Sequence, residues 1–122
     1  MIEHELRPTD GLLLLRPKDR LEAADFEKLA AEVDPYIEAN GKLRGVMIAA
    51  PSFPGWKDFA ALVAHLRFVR EHHRKVEKVA VVGDSGSLSV APKVAAHFVR
   101  AELRHFSESD GEAALAWLRD PG

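Results

Sequence analysis

Three short runs of this sequence are almost entirely apolar, and stretches with helical spacing separate them. The runs lie at residues 12–15, 43–50 and 79–82. A strand that is apolar on both sides must be covered on both faces, which is typical of parallel strands flanked by helices. We therefore predict an α/β fold, with βα units building a mostly parallel sheet and helices on its faces.

A β-hairpin is predicted at the start of the chain. Residues 2–6 alternate between apolar and polar side chains, as a half-exposed edge strand does. Pro8, Asp10 and Gly11 supply the turn, because proline presets φ, aspartate bonds the nearby backbone and glycine accepts positive φ. The hairpin adds an N-terminal antiparallel edge strand, which makes the sheet mixed.

Four stretches have the spacing of helices. The first runs from residue 23 to a cap at Gly41, and Pro35 should kink or split it because proline removes a backbone donor. The next two cover 58–75 and about 88–99. A last strand over 102–106 precedes the closing helix, which Ser109 or Asp110 caps.

Composition excludes several classes of protein. The 122 residues fit one domain spanning 1–122. Seventeen basic and nineteen acidic residues give a net charge of -2, so no general attraction to nucleic acid is expected. With no cysteine there is no disulfide, thiol nucleophile or thiolate-bound metal. A membrane span needs about 20 consecutive apolar residues, and no apolar run in the sequence approaches that length. We expect a cytoplasmic protein without a cofactor.

Signals for catalysis or metal binding are weak. The sequence has no P-loop and no dinucleotide-binding glycine pattern. The segment Gly-Asp-Ser-Gly-Ser after the third apolar run could be a nucleophile elbow using Asp84, Ser85 and His105, but a helix-capping turn is favoured. His65 and His72 are about 10 Å apart along one helix, too far to share an ion.

The helix predicted over 58–75 has apolar residues on two sides. The stripe predicted to face the core consists of Phe59, Leu62, Val63, Leu66 and Val69. The opposite side is predicted to be an interface with a protein partner or a second copy, and it consists of Ala61, Ala64, His65, Phe68 and His72. The alternative is a singly exposed phenylalanine, which is common.

The segment 51–56 is a second candidate site. It follows a central strand, at the edge where open α/β sheets bind ligands. Phe53 and Trp56 could line an apolar pocket, with Ser52 as its polar group. The favoured alternative has both rings covering the core, with Trp56 packed on the start of the next helix.

The order of these elements resembles the SpoIIAA-like family, small bacterial proteins grouped with STAS and CRAL-TRIO domains. The likeness spans nearly the whole chain and rests on GWKD at 55–58, FVREHH at 68–73, VAVVGD at 79–84 and EAALAWL at 112–118. The resemblance implies a βα superhelix with a mixed sheet and no established enzymatic activity. For the CRAL-TRIO side of the grouping it implies a bound apolar molecule.

Anti-sigma-factor antagonists, which share this fold, carry an Asp-Ser pair whose serine a partner kinase phosphorylates. Ser52 is the nearest equivalent, but Pro51 precedes it and Pro54 follows, which breaks that pattern. We expect a non-enzymatic regulatory or protein-interaction domain that could form a homodimer or bind a protein partner. The alternative is a carrier of a small apolar or amphipathic, lipid-like ligand at 51–56.

Overall fold

The computed structural model of the chain describes residues 1–50, 55–72, 75–83 and 101–120. Within them, five strands form one sheet in the order of the sequence. They are β1 (Ile2–Arg7), β2 (Leu12–Pro17), β3 (Leu43–Ala49), β4 (Val76–Val82) and β5 (Glu102–Phe106). β1 runs antiparallel to β2, and the remaining neighbours are parallel. The predicted mixed sheet with an antiparallel edge strand is confirmed.

Helices cover both faces of this sheet. They are α1 (Ala23–Asn40), α2 (Phe59–His72) and α3 (Gly111–Arg119), and a 3-10 turn over Glu108–Asp110 precedes α3. α1 and α2 belong to the same face, because they connect successive neighbouring strands and such crossovers are right-handed. α3 packs against β3 and β4 on the opposite face. The helix predicted over 88–99 lies outside the described residues.

The central strands are apolar on both sides because each contributes to two cores. On β2, Leu13 packs into the cluster beneath α1, whereas Leu12 and Leu14 pack into the cluster beneath α3. β4 alternates in the same way, with Val79 and Val81 on the α1 side. Successive side chains of a strand point to opposite faces, so an unbroken apolar run supplies both layers.

α3 lies very close to the sheet at Gly45 of β3. A Cβ added to this glycine would be 2.8 Å from Cδ2 of Leu118 and 3.1 Å from Cδ2 of Leu12. Both leucines are fully buried. The absence of a side chain at Gly45 therefore sets how near the helix can approach.

Lys78 of β4 holds the C-terminal end of α3. Its Nζ donates to the carbonyl oxygens of Trp117 at 3.1 Å and Asp120 at 2.7 Å. It also lies over the Trp117 ring, 5.1 Å from the centroid. The last carbonyls of a helix have no amide of a following turn to pair with, and this buried ammonium gives two of them a charged donor.

α1 continues through Pro35, so the predicted split is wrong. Val33 and Ile37 lie on either side of the proline, and both are buried in the α1-side core. Their burial on both sides of Pro35 stabilises the helix against the loss of one backbone bond. Gly41 caps the helix as predicted, with φ of 89° and an amide that donates to the Ile37 carbonyl at 2.6 Å.

Candidate functional site

The candidate interface on α2 faces α1 of the same chain, so its predicted outward orientation is wrong. Ala61 and His72 are buried, and Ala64, His65 and Phe68 are half-buried. α2 makes its main helix contact with α1. His65, Phe68 and His72 therefore take part in an intramolecular contact with α1.

A row of stacked rings explains why this face packs inward. His65 stacks on Phe26 of α1, with ring centroids 4.8 Å apart. Phe68 lies 6.0 Å from the same ring and stacks on His72 at 4.0 Å. Flat rings bury large areas and attract one another in these arrangements. Histidine is treated as polar when hydrophobic spacing is used to predict the buried side of a helix. Here both histidine rings take part in the packing.

Both ring nitrogens of His72 form hydrogen bonds to oxygen atoms. Nδ1 donates to the Phe68 carbonyl at 2.6 Å, and Nε2 lies 2.5 Å from Oδ1 of Asp34 on α1. Both partners are acceptors, so the two bonds are complete when each nitrogen carries a proton and the ring forms an ion pair with Asp34. Among the described residues, no three His, Asp or Glu side chains are arranged to hold a metal ion.

Trp56 joins the start of α2 to the loop that follows β2. Its indole Nε1–H donates to Nδ1 of His65 at 3.0 Å. Its backbone neighbours pair with Leu21, whose amide donates to the Gly55 carbonyl at 2.8 Å and whose carbonyl accepts from the Lys57 amide at 2.9 Å. The two loops that carry these residues follow neighbouring parallel strands, and this pairing ties them together.

Lys57 adds an exposed ion pair to this connection. Its Nζ donates to Oε1 of Glu22 at 2.8 Å. That hydrogen bond, together with the attraction of the Glu22 carboxylate, raises the pKa of Lys57 above its ordinary value of 10.5. The other two ligand-binding candidates, Ser52 and Phe53, lie outside the described residues.

The outward face of α2 carries large apolar side chains. Phe59, Val63 and Leu66 were predicted to face the core, but they are 77%, 38% and 54% exposed. Their spacing of four and then three residues places them in one row along the helix. Together they expose roughly 300 Å² of apolar surface, the size at which a surface patch is often functional. We call these three residues the α2 stripe.

Basic residues mark the C-terminal end of the α2 stripe. Arg70 lies one turn beyond Leu66, Arg67 lies beside the row, and both are exposed. Among the described residues, Arg67 forms no ion pair. At the other end of the helix, Oδ1 of Asp58 accepts from the Ala61 amide at 2.9 Å and so serves as a helix cap. The outward face is therefore apolar with a cationic end.

A cleft of about 500 Å³ opens where the C-terminal ends of α1 and α2 meet. It is lined by Asp34, Ile37, Glu38, Gly41, Glu71, His72 and Lys75. Most of these side chains are charged, and neither Gly55 nor Trp56 is among them. The described lining of the cleft therefore differs in chemistry from the apolar pocket predicted at 51–56, and it does not include Trp56.

His105 has a structural partner. Its Nε2–H donates to the Gly83 carbonyl at 2.9 Å, which links β5 to the end of β4. Asp84 and Ser85, the other members of the weak catalytic candidate, lie outside the described residues. None of the helices in the described part of the chain is both long and apolar enough to cross a bilayer.

The architecture defines a class of α/β protein, with one mixed sheet whose parallel strands follow sequence order and helices on both faces. A model of the SpoIIAA-like family matches residues 12–119, and the chain belongs to that family. The resemblance found in the sequence is thereby confirmed. Family membership establishes the fold and leaves the biochemical role open.

A solved structure supports the same assignment. An uncharacterized protein from Shewanella loihica PV-4, described as having a SpoIIAA-like fold, is similar with a TM-score of 0.68 and 23% sequence identity. The match covers 97% of this chain and 92% of that chain. No curated protein matches this chain. The structural likeness therefore concerns the fold.

Proposed function

We propose that this protein is a non-enzymatic interaction domain that binds another protein through the α2 stripe. The observation that carries the proposal is the row of Phe59, Val63 and Leu66, three large apolar side chains exposed on one helix face. Apolar surface left in water costs about 25 cal/mol per Å², which a partner's apolar side would recover. A regulatory role for a SpoIIAA-like fold is consistent with this mode of action.

The stripe is available while the fold is intact. α2 is held on α1 by its other side, through Phe68 and the two histidine rings that stack beside it. A partner can therefore bind without displacing any of these contacts. This arrangement supports docking onto a preformed surface.

The size of the stripe favours a reversible partner. Its roughly 300 Å² is well below the about 800 Å² that each side of a stable protein complex buries. An obligate interface would need much more apolar surface than these three residues supply. We therefore propose a transient contact centred on the stripe and completed by polar residues around it.

Site-specific photo-crosslinking in the producing cells tests this proposal. A photoreactive amino acid at Val63 should form adducts with a partner, and the same amino acid at Ala113, on the exposed side of α3, should not. Adding Leu66→Ser to the Val63 probe should weaken the adducts, because it removes apolar surface beside the probe. Equal adducts from positions 63 and 113, or adducts that Leu66→Ser leaves unchanged, would contradict the proposal.

The carrier of a small apolar ligand at 51–56 is the lesser proposal. Trp56 is its one described member, and the indole N–H already donates to His65. Native mass spectrometry of gently purified protein separates the two ideas. A bound mass of lipid size that Trp56→Ala abolishes would favour a carrier, whereas a bare chain mass would count against one.

A further inference from the structure

We infer that the α2 stripe accepts an acidic amphipathic helix of the partner, an inference that rests on the proposed function of that stripe. The apolar row and the two exposed arginines at its end occupy the same outward face of α2. A complementary segment must present apolar side chains in a row and carboxylates at one end. A helix with acidic residues beside its apolar face meets both requirements.

The position of Arg67 carries the charge part of the inference. Basic residues in the last turn of a helix are explained by the helix dipole, and Arg70 falls in that turn. Arg67 lies more than one turn from the C-terminal residue His72, so the dipole accounts for it poorly. Among the described residues it has no ion pair, including with Glu71 four positions along. Its guanidinium is therefore available to a carboxylate from outside the chain.

The dimensions of this face match a short helix. From Phe59 to Arg70 the helix rises about 16 Å, which corresponds to roughly three turns. A partner helix of that length would place apolar residues at spacings of three and four against the stripe. Its carboxylates would then lie within reach of Arg67 and Arg70 at the C-terminal end.

Other occupants fit this face less well. A second copy of α2 packed antiparallel would bring Asp58 to Arg67 and Arg70, but Oδ1 of that carboxylate is already engaged by the Ala61 amide as the helix cap. Membrane surfaces are usually recognised by clusters of about four to eight basic residues, whereas this face has two, on a chain with net charge -2. An acidic protein helix is the occupant that matches both the apolar row and the guanidinium of Arg67, which is unpaired within the described part of the chain.

Fluorescence anisotropy with labelled probe peptides tests the inference. One probe is a designed helical peptide with leucines at i, i+4 and i+7 and glutamates at one end, and its match has lysines in place of the glutamates. Wild-type protein should bind the glutamate peptide about tenfold more tightly at low salt, and the preference should shrink as salt is added. In Arg67→Glu/Arg70→Glu the preference should reverse in favour of the lysine peptide.

A charge-matched control separates local from overall charge. Arg16→Glu/Lys28→Glu changes net charge by the same amount at exposed positions of β2 and α1, and it should keep the wild-type preference. If the control behaves like the α2 variant, the local charge inference is overturned. If wild type binds both peptides equally through the stripe, the acidic partner is overturned while the proposed interaction function stands.

The remaining outcomes distinguish the acidic-helix inference from the proposed function and from other occupants of the stripe. Binding of neither peptide, with crosslinks at Val63 still present, overturns the acidic helix alone. The absence of crosslinks as well overturns the proposed function too. Binding to anionic vesicles that Leu66→Ser abolishes, or a dimer mass in light scattering that the same substitution abolishes, would replace the acidic helix by a lipid surface or a second copy.

Discussion

α2 and α3 use their apolar residues in opposite ways. α3 places Ala114, Leu115 and Leu118 against the sheet, and these residues are buried. α2 instead packs Phe68, small residues and histidine rings inward and leaves Phe59, Val63 and Leu66 outward. The difference indicates that α3 is a structural layer, whereas α2 both completes the fold and presents a surface.

Lysines secure the two helices by different means. Lys78 is 9% exposed and satisfies two carbonyls at the end of α3. Lys57, just before α2, is 63% exposed and pairs with a carboxylate in water. A buried, charge-assisted hydrogen bond stabilises a fold more than an exposed ion pair does. α3 should therefore be the more firmly held helix.

The largest expected difference is between a leucine of each helix. Leu118→Ala should lower the free energy of unfolding by about 2–5 kcal/mol, because it removes a fully buried side chain and leaves a cavity under α3. Leu66→Ala should change it by no more than about 0.5 kcal/mol, because that side chain is exposed. Urea denaturation measures both. Equal losses would show that the α2 stripe is covered within the chain.

Lys78→Met should have an intermediate effect. The substitution keeps most of the aliphatic stem but removes the charged donor from two carbonyls at the end of α3, at a cost of about 1–3 kcal/mol. Lys42→Met is the matched control, because Lys42 is an exposed lysine paired with Glu77, and it should cost about 0–1 kcal/mol. Thermal unfolding of the two variants gives the comparison. A Lys78 loss no larger than the Lys42 loss would refute the capping role.

The smallest effect concerns Lys57. Glu22 raises the pKa of Lys57 above its ordinary value of 10.5. The ion pair therefore contributes its full stabilisation of the folded chain at pH values below 10.5, and this stabilisation is lost as the pH rises through the raised pKa. An NMR titration of the Lys57 side chain should show it losing its proton at higher pH than in Glu22→Gln. Identical titrations in the two proteins would show that the bond is not maintained in solution.

Most of the sheet was predictable from the sequence because its strands carry strong local signals. The bounds of β5 were predicted at 102–106 and are observed there. The hairpin turn at Gly11 and the cap at Gly41 were readable because both glycines adopt positive φ. In these places local conformational preference and burial require the same residues, so the sequence pattern predicts the local structure directly.

The orientation of α2 was not predictable in this way. Hydrophobic spacing identifies the more apolar side of a helix, but it does not say which neighbour that side will meet. Here Phe26 offers a flat ring to His65 and Phe68, and Asp34 accepts from His72. These tertiary contacts favour the less apolar side of the helix. The candidate surface therefore became visible only once α1 and α2 were seen together.

The four leucines of β2 have a consequence for strand alignment. A shift by one residue would replace leucine with leucine on both faces over most of the strand, so side-chain hydrophobicity selects the correct pairing only weakly. The alignment is specified where a side chain cannot fit: Leu12 lies opposite Gly45, and the Gly11 carbonyl accepts from the Arg44 amide at 2.9 Å. A Cβ on Gly11 would come within 2.9 Å of the Tyr36 hydroxyl. Gly11 and Gly45 thus fix the strand register that the repeated leucines of β2 leave weakly specified.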